Sequence, residues 1–325
     1  MKKLSIIITG PTAAGKTEIA EKLLDSFPNR FVMVNADLGQ FYKLLNIGTA
    51  KPINLNQYNH ELFDILEQPE DWNVAKFRQI LNKTLNKIWA QNMIPIVVGG
   101  SSFYIKAFFF NPAEIIKKDD IELENYNNLG TLELWQKLYE IDPKRANDIS
   151  KNDRYRIERA LNIWRATGSL PSEFQTKFDP ISDFLFIYAN RDRDELYKRI
   201  NTRVKIMLAQ GWIEEVEQLD NQWKEFLLEK KIIGYPEIIK YLETNDQKLH
   251  FLEEEIAKKT RNYAKRQTTF LKGLTRHIQE NLVHYIKDHP NFYGKVTEVN
   301  LTFAQINLYI DQIITQVNNY LNAKK

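Results

Sequence analysis

Gly10-Pro11-Thr12-Ala13-Ala14-Gly15-Lys16-Thr17 fits the pattern G-x-x-x-x-G-K-[ST], and this stretch points to the fold of the whole chain. An apolar, β-branched run, Leu4 to Thr9, precedes it, and an amphipathic segment with helical spacing, Glu18 to Phe27, follows it. A strand, a glycine-containing turn and a helix in this order predict a phosphate-binding loop. Glycines permit backbone conformations in which successive N–H groups converge on an anion, and the helix N-terminus adds positive charge.

The residues of this motif are the predicted ligands of a diphosphate or triphosphate group. Lys16 supplies a mobile positive charge, and the hydroxyl of Thr17 suits a Mg2+ ligand. The remaining predicted diphosphate-binding residues are Gly10, Thr12, Ala13, Ala14 and Gly15. The alternative is a glycine-containing turn with an incidental Gly-Lys-Thr, and the flanking strand and helix patterns disfavour it.

The composition is typical of a soluble globular protein. Hydrophobic residues make up 43% of the 325 residues and charged residues 27%, while the formal net charge of +3 identifies no anionic partner. The chain has no cysteine, which excludes disulfides, thiolate catalysis and cysteine-ligated zinc. No apolar stretch approaches the ~18 residues of a membrane span. We expect a cytoplasmic monomer without a membrane partner.

Two further buried strands are predicted to end beside polar residues. Phe31 to Asp37 and Ile94 to Gly100 are apolar runs, and Ser101 follows the second. Functional residues collect at the carboxyl ends of strands in an open parallel sheet, so we expect Asp37 and Ser101 to lie near Lys16. Simpler roles remain open, because Asp and Ser also cap helices and turns, and for Ser101 the two roles are compatible.

The order of the remaining segments predicts one α/β domain with an insertion. Helical patterns cover residues 73–92, 131–141, 143–167, 193–219 and 303–321, and a further buried strand covers 184–190. The composition turns polar and acidic from 111 to 130. The predicted fold class is α/β, a P-loop parallel sheet flanked by helices, with a mainly helical insertion domain. The predicted domains are 1–110 and 181–325 for the core and 111–180 for the insertion.

Cations cluster in two of the predicted helical regions. Between Ile256 and Gln279 there are seven Lys or Arg residues and no Asp or Glu, and Tyr263 and Phe270 interleave with them. A solvated helix face is the usual meaning of such a run, but the missing acids favour nucleic acid. Residues 143–167 are also rich in Arg. Lys51, in a loop before Pro52, could reach an anion.

The order of these segments resembles the tRNA dimethylallyltransferase (tRNA isopentenyltransferase) family from Leu4 to about Gly273. The matching motifs are Gly10 to Thr17; Asp37 with Gln40 and Tyr42; Asn46 to Pro52; Ile94 to Gly100 with Tyr104; Asp142-Pro143; Asn152-Asp153 with Arg156; Arg159 to Leu161; Arg199-Ile200 with Arg203, Val204 and Met207; Gly234-Tyr235; and Arg261 with Ala264 to Gln267. The resemblance implies transfer of a dimethylallyl group from its diphosphate, with Mg2+, to N6 of the adenosine on the 3′ side of a tRNA anticodon.

The resemblance and the chemistry of this transfer together assign roles to residues. Asp37 is the candidate general base, because the acceptor amine is a poor nucleophile that must lose a proton. Ser101 would hydrogen-bond the amine or the diphosphate, and Arg203, with Arg199 as the alternative, would bind the diphosphate. The predicted tRNA-binding residues are Asp37, Leu38, Gly39, Gln40, Tyr155, Arg156, Arg159, Gly234, Tyr235, Lys265 and Arg266. The expected partners are dimethylallyl diphosphate and the anticodon stem-loop of tRNA.

Some positions depart from the family pattern. Leu38 and Gly39 stand between Asp37 and Gln40, where the family has a Ser after the Asp, and Ser101 replaces a Thr. The first departure weakens detailed inference about tRNA contacts near Leu38, but no group that the chemistry requires is missing. Three other functions remain open: transfer to free adenine nucleotides, a small-molecule kinase that binds ATP, and a nucleotide-binding module without catalysis.

Overall fold

The computed structural model describes residues 3–27, 29–111, 126–174, 176–244, 248–303 and 305–323. The chain divides into two compact units, one formed by Met1–Phe109 with Pro180–Lys325 and the other by Phe110–Asp179. Most of the polar and acidic stretch predicted at 111–130 lies outside the described residues.

The first unit is built on a parallel sheet of six strands in its described part. The strands are β1 (Leu4–Thr9), β2 (Phe31–Asn35), β3 (His60–Glu61), β4 (Ile94–Gly99), β5 (Asp183–Asn190) and β6 (Gly294–Asn300). Their order is β3-β2-β4-β1-β5-β6, and every pairing is parallel. β1 therefore lies between β4 and β5, with Ile6 opposite Ile96 and Leu185. The predicted α/β class is confirmed.

The described residues also form twelve α-helices, which lie in connections between the parallel strands or, for the last, after β6. They are α1 (Lys16–Ser26), α2 (Val74–Ala90), α3 (Ser102–Phe109), α4 (Thr131–Ile141), α5 (Pro143–Asn147), α6 (Arg154–Thr167), α7 (Arg193–Ala209), α8 (Trp212–Glu217), α9 (Asn221–Lys230), α10 (Tyr235–Thr244), α11 (Leu249–Asp288) and α12 (Ile306–Ala323). No helix among the described residues has both the length and the apolar character needed to cross a bilayer.

The sheet is covered by apolar side chains that the sequence pattern places correctly. β1 and β4 are buried along their whole length, which explains why they read as continuous apolar runs instead of alternating patterns. Ile19 and Leu23 of α1 share a hydrophobic core with Ile313 and Val317 of α12. The C-terminal helix thus packs on the sheet, as its spacing predicts.

Two predicted helices are wrong in extent. The segment 193–219 is not one helix: α7 ends at Ala209, and Gly211, whose φ is 98°, starts α8. Glycine adopts this left-handed conformation without the steric cost that other residues meet. The segment 143–167 is likewise divided, because the Asp153 side chain accepts a hydrogen bond from the Arg156 amide and begins a new helix, α6. Strand β6 was not predicted.

The second unit has its own small helical core. Leu134 and Leu138 of α4 pack with Ile157 and Leu161 of α6. Asp142 is buried and accepts hydrogen bonds from the amides of Arg145 (2.9 Å) and Ser172 (2.6 Å). These bonds outweigh the effect of burial and lower the pKa of the Asp142 carboxyl. The buried carboxylate therefore holds the start of α5 against the segment after α6.

Candidate active site

The glycine-containing loop between β1 and α1 takes its shape from close backbone approach. A Cβ on Gly10 would lie 2.0 Å from the carbonyl oxygen of Ala189 in β5, so only glycine fits there. Gly15 precedes α1 with φ of 106°, and Ala13 also has a positive φ, 63°. The loop therefore turns sharply into the helix, with its amides near the helix N-terminus, the arrangement that binds phosphate groups.

Side chains far away in sequence hold this loop from the outside. The Thr12 amide donates to Oε1 of Gln267 in α11 (2.8 Å), and Nε2 of Gln267 donates to the Gly100 carbonyl (2.8 Å). Arg199 donates to the Ala13 carbonyl (2.9 Å), and Arg191 donates to the Ala14 carbonyl (2.9 Å). The loop is thus held in shape by the protein itself.

Asp37 is positioned at the end of β2 by short-range contacts. Its amide donates to the side chain of the buried Asn35 (2.8 Å), which in turn donates to the Asp37 carbonyl (3.0 Å). Its carboxylate accepts from the Gly39 amide (3.3 Å) at the start of a short 3-10 turn. Ser101 accepts from the Leu38 amide (3.1 Å), which leaves its O–H proton able to donate elsewhere.

One cavity of about 410 Å³ brings the predicted catalytic residues together. Its wall includes Lys16 and Thr17 at the start of α1, Asp37 and Ser101 at the strand ends, and Arg203 of α7. Other predicted site residues on the wall are Thr12, Ala13, Leu38, Gly39, Gln40 and Arg266. Apolar residues complete it, including Ile200, Val204 and Met207 of α7 and Met33, Phe63 and Val98. The space thus has a charged end and apolar walls.

The other predicted site residues lie elsewhere. Gly10, Ala14 and Gly15 shape the loop without lining the cavity. Lys265 is exposed on α11, whereas Tyr235 is fully buried. Tyr155, Arg156 and Arg159 belong to the second unit and are exposed on α6, where Arg156 pairs with Asp153 (3.2 Å). Their roles remain predictions.

Burial dominates the electrostatics of the charged end. It lowers the pKa of Lys16 to about 8, although the charge of Asp37 opposes the shift. Burial also raises the pKa of Asp37, opposed by Lys16, by the amides of Gly39 and Gly100, and by Arg203. Burial lowers the pKa of the Arg203 guanidinium too, and Asp37 opposes that shift. Each charge is therefore costly alone, and Asp37 stabilises both cations, whereas the charge of Arg203 further lowers the pKa of Lys16.

Glycine at position 100 keeps this charged end open. A Cβ there would lie 3.5 Å from Oδ2 of Asp37, 3.6 Å from Nζ of Lys16 and 2.7 Å from Nε2 of Gln267. These three side-chain groups thus surround one point beside the Gly99-Gly100 turn.

Glu215 of α8 is a structural residue of the site that the sequence did not reveal. Its carboxylate accepts hydrogen bonds from the amides of Asn46 (2.9 Å), Ile47 (2.7 Å) and Gly48 (3.2 Å), and from the Tyr235 hydroxyl (2.8 Å). A Cβ on Gly48 would collide with Trp212 and Tyr235. Gly48 lines the cavity, so Glu215 positions part of the cavity wall. No local signal distinguishes Glu215 from the neighbouring acids Glu214 and Glu217.

Lys51 does not serve as a free cation. It forms an ion pair with Asp64 and donates to the Tyr42 carbonyl (3.1 Å) and to Asn46 (2.8 Å). Its side chain is only 6% exposed. The suggestion that Lys51 reaches an anion is therefore replaced by a role in holding the loop that precedes Pro52.

Fold and site together define an α/β protein with a parallel sheet, in which Asp37 and Ser101 share a cavity wall with Lys16 of the glycine-containing loop. A family model described as IPP transferase matches residues 40–274. A tRNA dimethylallyltransferase of Vesicomyosocius okutanii is 36% identical over 283 residues, 84% of this chain and 92% of that protein. The chain belongs to the IPP transferase family of tRNA dimethylallyltransferases, and is thus a prenyl-transferring enzyme.

Two solved structures resemble the fold. A full-length tRNA isopentenylpyrophosphate transferase from Bacillus halodurans is 28% identical, with a TM-score of 0.61 over 100% of this chain and 99% of that one. A eukaryotic dimethylallyltransferase acting on tRNA has a TM-score of 0.75 over 99% of this chain and 80% of that one. The latter is 24% identical, so its likeness supports the fold alone.

Proposed function

We propose that this enzyme transfers a dimethylallyl group from dimethylallyl diphosphate to N6 of the adenosine on the 3′ side of a tRNA anticodon. The observation that carries the proposal is the convergence of Lys16, Asp37, Ser101 and Arg203 on one cavity with apolar walls. A diphosphate needs the cations, a dimethylallyl group needs the apolar walls, and an amine acceptor needs the carboxylate. Membership of the tRNA dimethylallyltransferases supports the choice of both substrates.

The donor would bind with its diphosphate against the Gly10–Gly15 loop. Lys16 and Arg203 would stabilise the negative charge that develops as the allylic C–O bond breaks and the diphosphate leaves with the bonding electrons. Arg203 suits this role better than Arg199, because Arg203 lines the cavity while Arg199 holds the Ala13 carbonyl from an exposed position. Ile200, Val204 and Met207 would face the hydrocarbon.

The oxygen atoms present fit a Mg2+ ion shared with the donor. Among the described residues there is no group of three or more His, Cys, Asp or Glu that could hold a metal alone. The Thr17 hydroxyl on the cavity wall, together with phosphate oxygens, is a donor set that Mg2+ accepts. The ion would neutralise charge on the leaving diphosphate.

The acceptor amine would approach the allylic carbon beside Asp37 and Ser101. As the new C–N bond forms, the amine nitrogen becomes positively charged, and Asp37 would take its proton. The raised pKa of Asp37 matches this role, since a stronger base accepts a proton more readily. Ser101, whose oxygen already accepts from the Leu38 amide, would use its O–H to orient the amine or the diphosphate.

The predicted RNA contacts divide into two kinds. Exposed residues, Lys265 and Arg266 on α11 and Tyr155, Arg156 and Arg159 on α6, would bind the anticodon stem-loop through phosphates and stacking. Leu38, Gly39 and Gln40 would contact the target nucleotide inside the cavity. Gly234 and Tyr235 would act indirectly, because Tyr235 is buried and bonds to Glu215, which holds Asn46 to Gly48.

Incubation with radiolabelled dimethylallyl diphosphate tests the proposal directly. Unmodified tRNA, AMP and ATP should be compared as acceptors, with Mg2+ present. Label should enter tRNA and appear as N6-isopentenyladenosine beside the anticodon. Label in AMP or ATP alone would establish an adenine-nucleotide prenyltransferase instead, and phosphate transfer from ATP would establish a kinase.

A further inference from the structure

Two phenylalanine rings contact each other outside the cavity. Phe103 of α3 and Phe270 of α11 have ring centroids 5.0 Å apart and planes at 61°, and Phe103 is 56% exposed. Phe108, Phe109 and Phe184 of the same unit are fully buried. The burial of a core therefore does not explain the Phe103–Phe270 pair, because more than half of the Phe103 surface remains exposed.

The pair lies beside residues that line the cavity. Phe103 follows Ser101 by two residues, so their Cα atoms lie within about 7.6 Å of each other. That distance is about the rise of two stacked nucleotides in one strand. Phe270 follows Arg266 by one helical turn, and Gln267 bonds α11 to the Gly100 carbonyl at the turn before α3. The backbone of Phe103 therefore lies within about two nucleotides of Ser101, and Phe270 lies one helical turn from Arg266; both Ser101 and Arg266 line the cavity.

The cation of α11 beside the pair is Arg266, which is exposed one helical turn before Phe270 on the same face. Lys265, Lys272 and Arg276 are exposed on the other side of the helix, and no acid occurs between Ile256 and Gln279. Lys258, Lys265 and Lys272 are seven residues apart and share one face of the helix. Aromatic rings beside an exposed Arg complement a single RNA strand, whose bases stack on rings while its phosphates bind cations.

We propose that the Phe103–Phe270 pair stacks the base of a nucleotide adjacent to the target adenosine, and this inference rests on the proposed function. When the adenosine leaves the loop stack to enter the cavity, its neighbour loses a stacking partner. The exposed ring of Phe103 replaces that partner. Stacking on a ring accepts any base, so the pair contributes affinity for an unstacked loop without reading its sequence.

A double-mutant cycle between Phe103 and the RNA tests the proposal. The variant is Phe103→Leu, which keeps an apolar side chain but removes the ring. The substrates are an anticodon stem-loop RNA and two versions with an abasic nucleotide directly 5′ or 3′ of the target adenosine. We expect Phe103→Leu to raise KM for the intact RNA about 5- to 150-fold, with kcat and the KM for the donor unchanged.

The cycle predicts coupling at one of the two abasic positions. The RNA that is abasic at this position should have a raised KM with the parent enzyme. With Phe103→Leu, the KM for this abasic RNA should be no higher than with the parent enzyme. Phe103→Trp should restore tight binding of the intact RNA. Phe251→Leu is the matched control, because Phe251 is 54% exposed on the same helix and lies about 28 Å from Phe270 along its axis. It should leave KM unchanged.

Additive effects of Phe103→Leu and both abasic substitutions, with normal turnover of the intact RNA, would overturn the stacking proposal and leave the proposed function standing. A raised donor KM or a lowered melting temperature in Phe103→Leu, with no coupling, would make the pair purely structural. If the parent enzyme transfers no prenyl group to the intact RNA, the proposed function fails and this inference fails with it.

Discussion

The two sides of the cavity are held in place in different ways. On the strand-edge side, Lys16 donates to Pro11 (3.0 Å), and Asp37 is fixed by Asn35 and Gly39, all within five residues in sequence. On the helical side, Gln267 reaches Thr12 across 255 residues and Glu215 reaches Asn46 across 169. The strand-edge side thus carries Lys16 and Asp37, which we propose take part in the chemistry, and the helical side, apart from Arg203, carries groups that set their surroundings. Substitutions on the two sides should therefore differ in which kinetic constant they change.

Asp37→Asn should have the largest effect on the strand-edge side. Asn has nearly the same size and can still hydrogen-bond the acceptor amine, but it cannot accept the proton. The rate of prenyl transfer should fall about 10²–10⁴-fold with little change in substrate binding. Single-turnover rates at saturating tRNA and donor measure this loss.

A magnesium series separates the two roles that Asp37 could have. A lost Mg2+ ligand should be partly rescued by raised Mg2+, whereas a lost base should not. Substantial recovery of the Asp37→Asn rate at high Mg2+ would assign Asp37 to the metal instead of the proton.

Lys16→Ala should reduce kcat/KM for the donor about 10²–10³-fold, because it removes one cation aimed at the leaving diphosphate. The pKa of Lys16 in the free enzyme is lowered to about 8, so its ammonium loses the proton as pH rises through that value. The parent kcat/KM for the donor should therefore decline above pH 8.

Lys16→Ala also provides the control for assigning the decline above pH 8 to Lys16. Lys16→Ala should lack the decline above pH 8 while keeping the decline at low pH that protonation of Asp37 causes. An unchanged alkaline limb in Lys16→Ala would mean that another group produces it. Thr17→Ala should also lower activity, and the remaining activity should depend differently on the Mg2+ concentration.

Glu215→Ala tests the helical side and should affect binding more than the chemical step. The substitution leaves three amides of the Asn46–Gly48 segment without their carboxylate acceptor. An unsatisfied buried group lowers the free energy of unfolding by up to about 1–3 kcal/mol. We expect a lower melting temperature and a KM for tRNA raised about tenfold, with kcat changed much less. The melting temperature and the KM for tRNA of Glu215→Gln should lie between those of the parent enzyme and Glu215→Ala.

Glu214→Ala is the matched control, since Glu214 is an exposed neighbour on the same helix. It should leave both constants unchanged. If Glu215→Ala lowered kcat as much as Asp37→Asn does and left the KM for tRNA unchanged, the distinction between the two sides would be lost.

The smallest effect is expected from the exposed cations of α11. Replacing Lys265 and Arg266 by Gln should flatten the dependence of log affinity on log salt by roughly 1.4, about 0.7 for each phosphate contact to single-stranded RNA. Lys259→Gln should leave the slope unchanged, because Lys259 pairs with Glu237 (2.6 Å) and Glu255 (2.9 Å). An unchanged slope in the double variant would make Lys265 and Arg266 part of an ordinary solvated face.

Much of the core was predictable because its signals are local. β1, the loop and α1 follow from an apolar run, two glycines and helical spacing, and α4 was predicted with the observed bounds. The undivided helix at 193–219 failed because Gly211 inside a periodic pattern is compatible with either a helix or a break. Strand β6 was missed because its burial depends on pairing with β5 and only Val299 is fully buried.

The sequence by itself determined which groups the strand ends carry: a phosphate loop with Lys16, the carboxylate Asp37 and the hydroxyl Ser101. Backbone hydrogen bonds and side-chain periodicity act between near neighbours, so they can be recognised in the order of residues. Only the tertiary structure decided that Gln267 holds the loop, that Glu215 holds the Asn46–Gly48 segment, and that Arg203 lines the cavity. The first two contacts join a side chain to a distant backbone amide that folding alone brings within 3 Å, and no spacing along the chain encodes which partner each one meets.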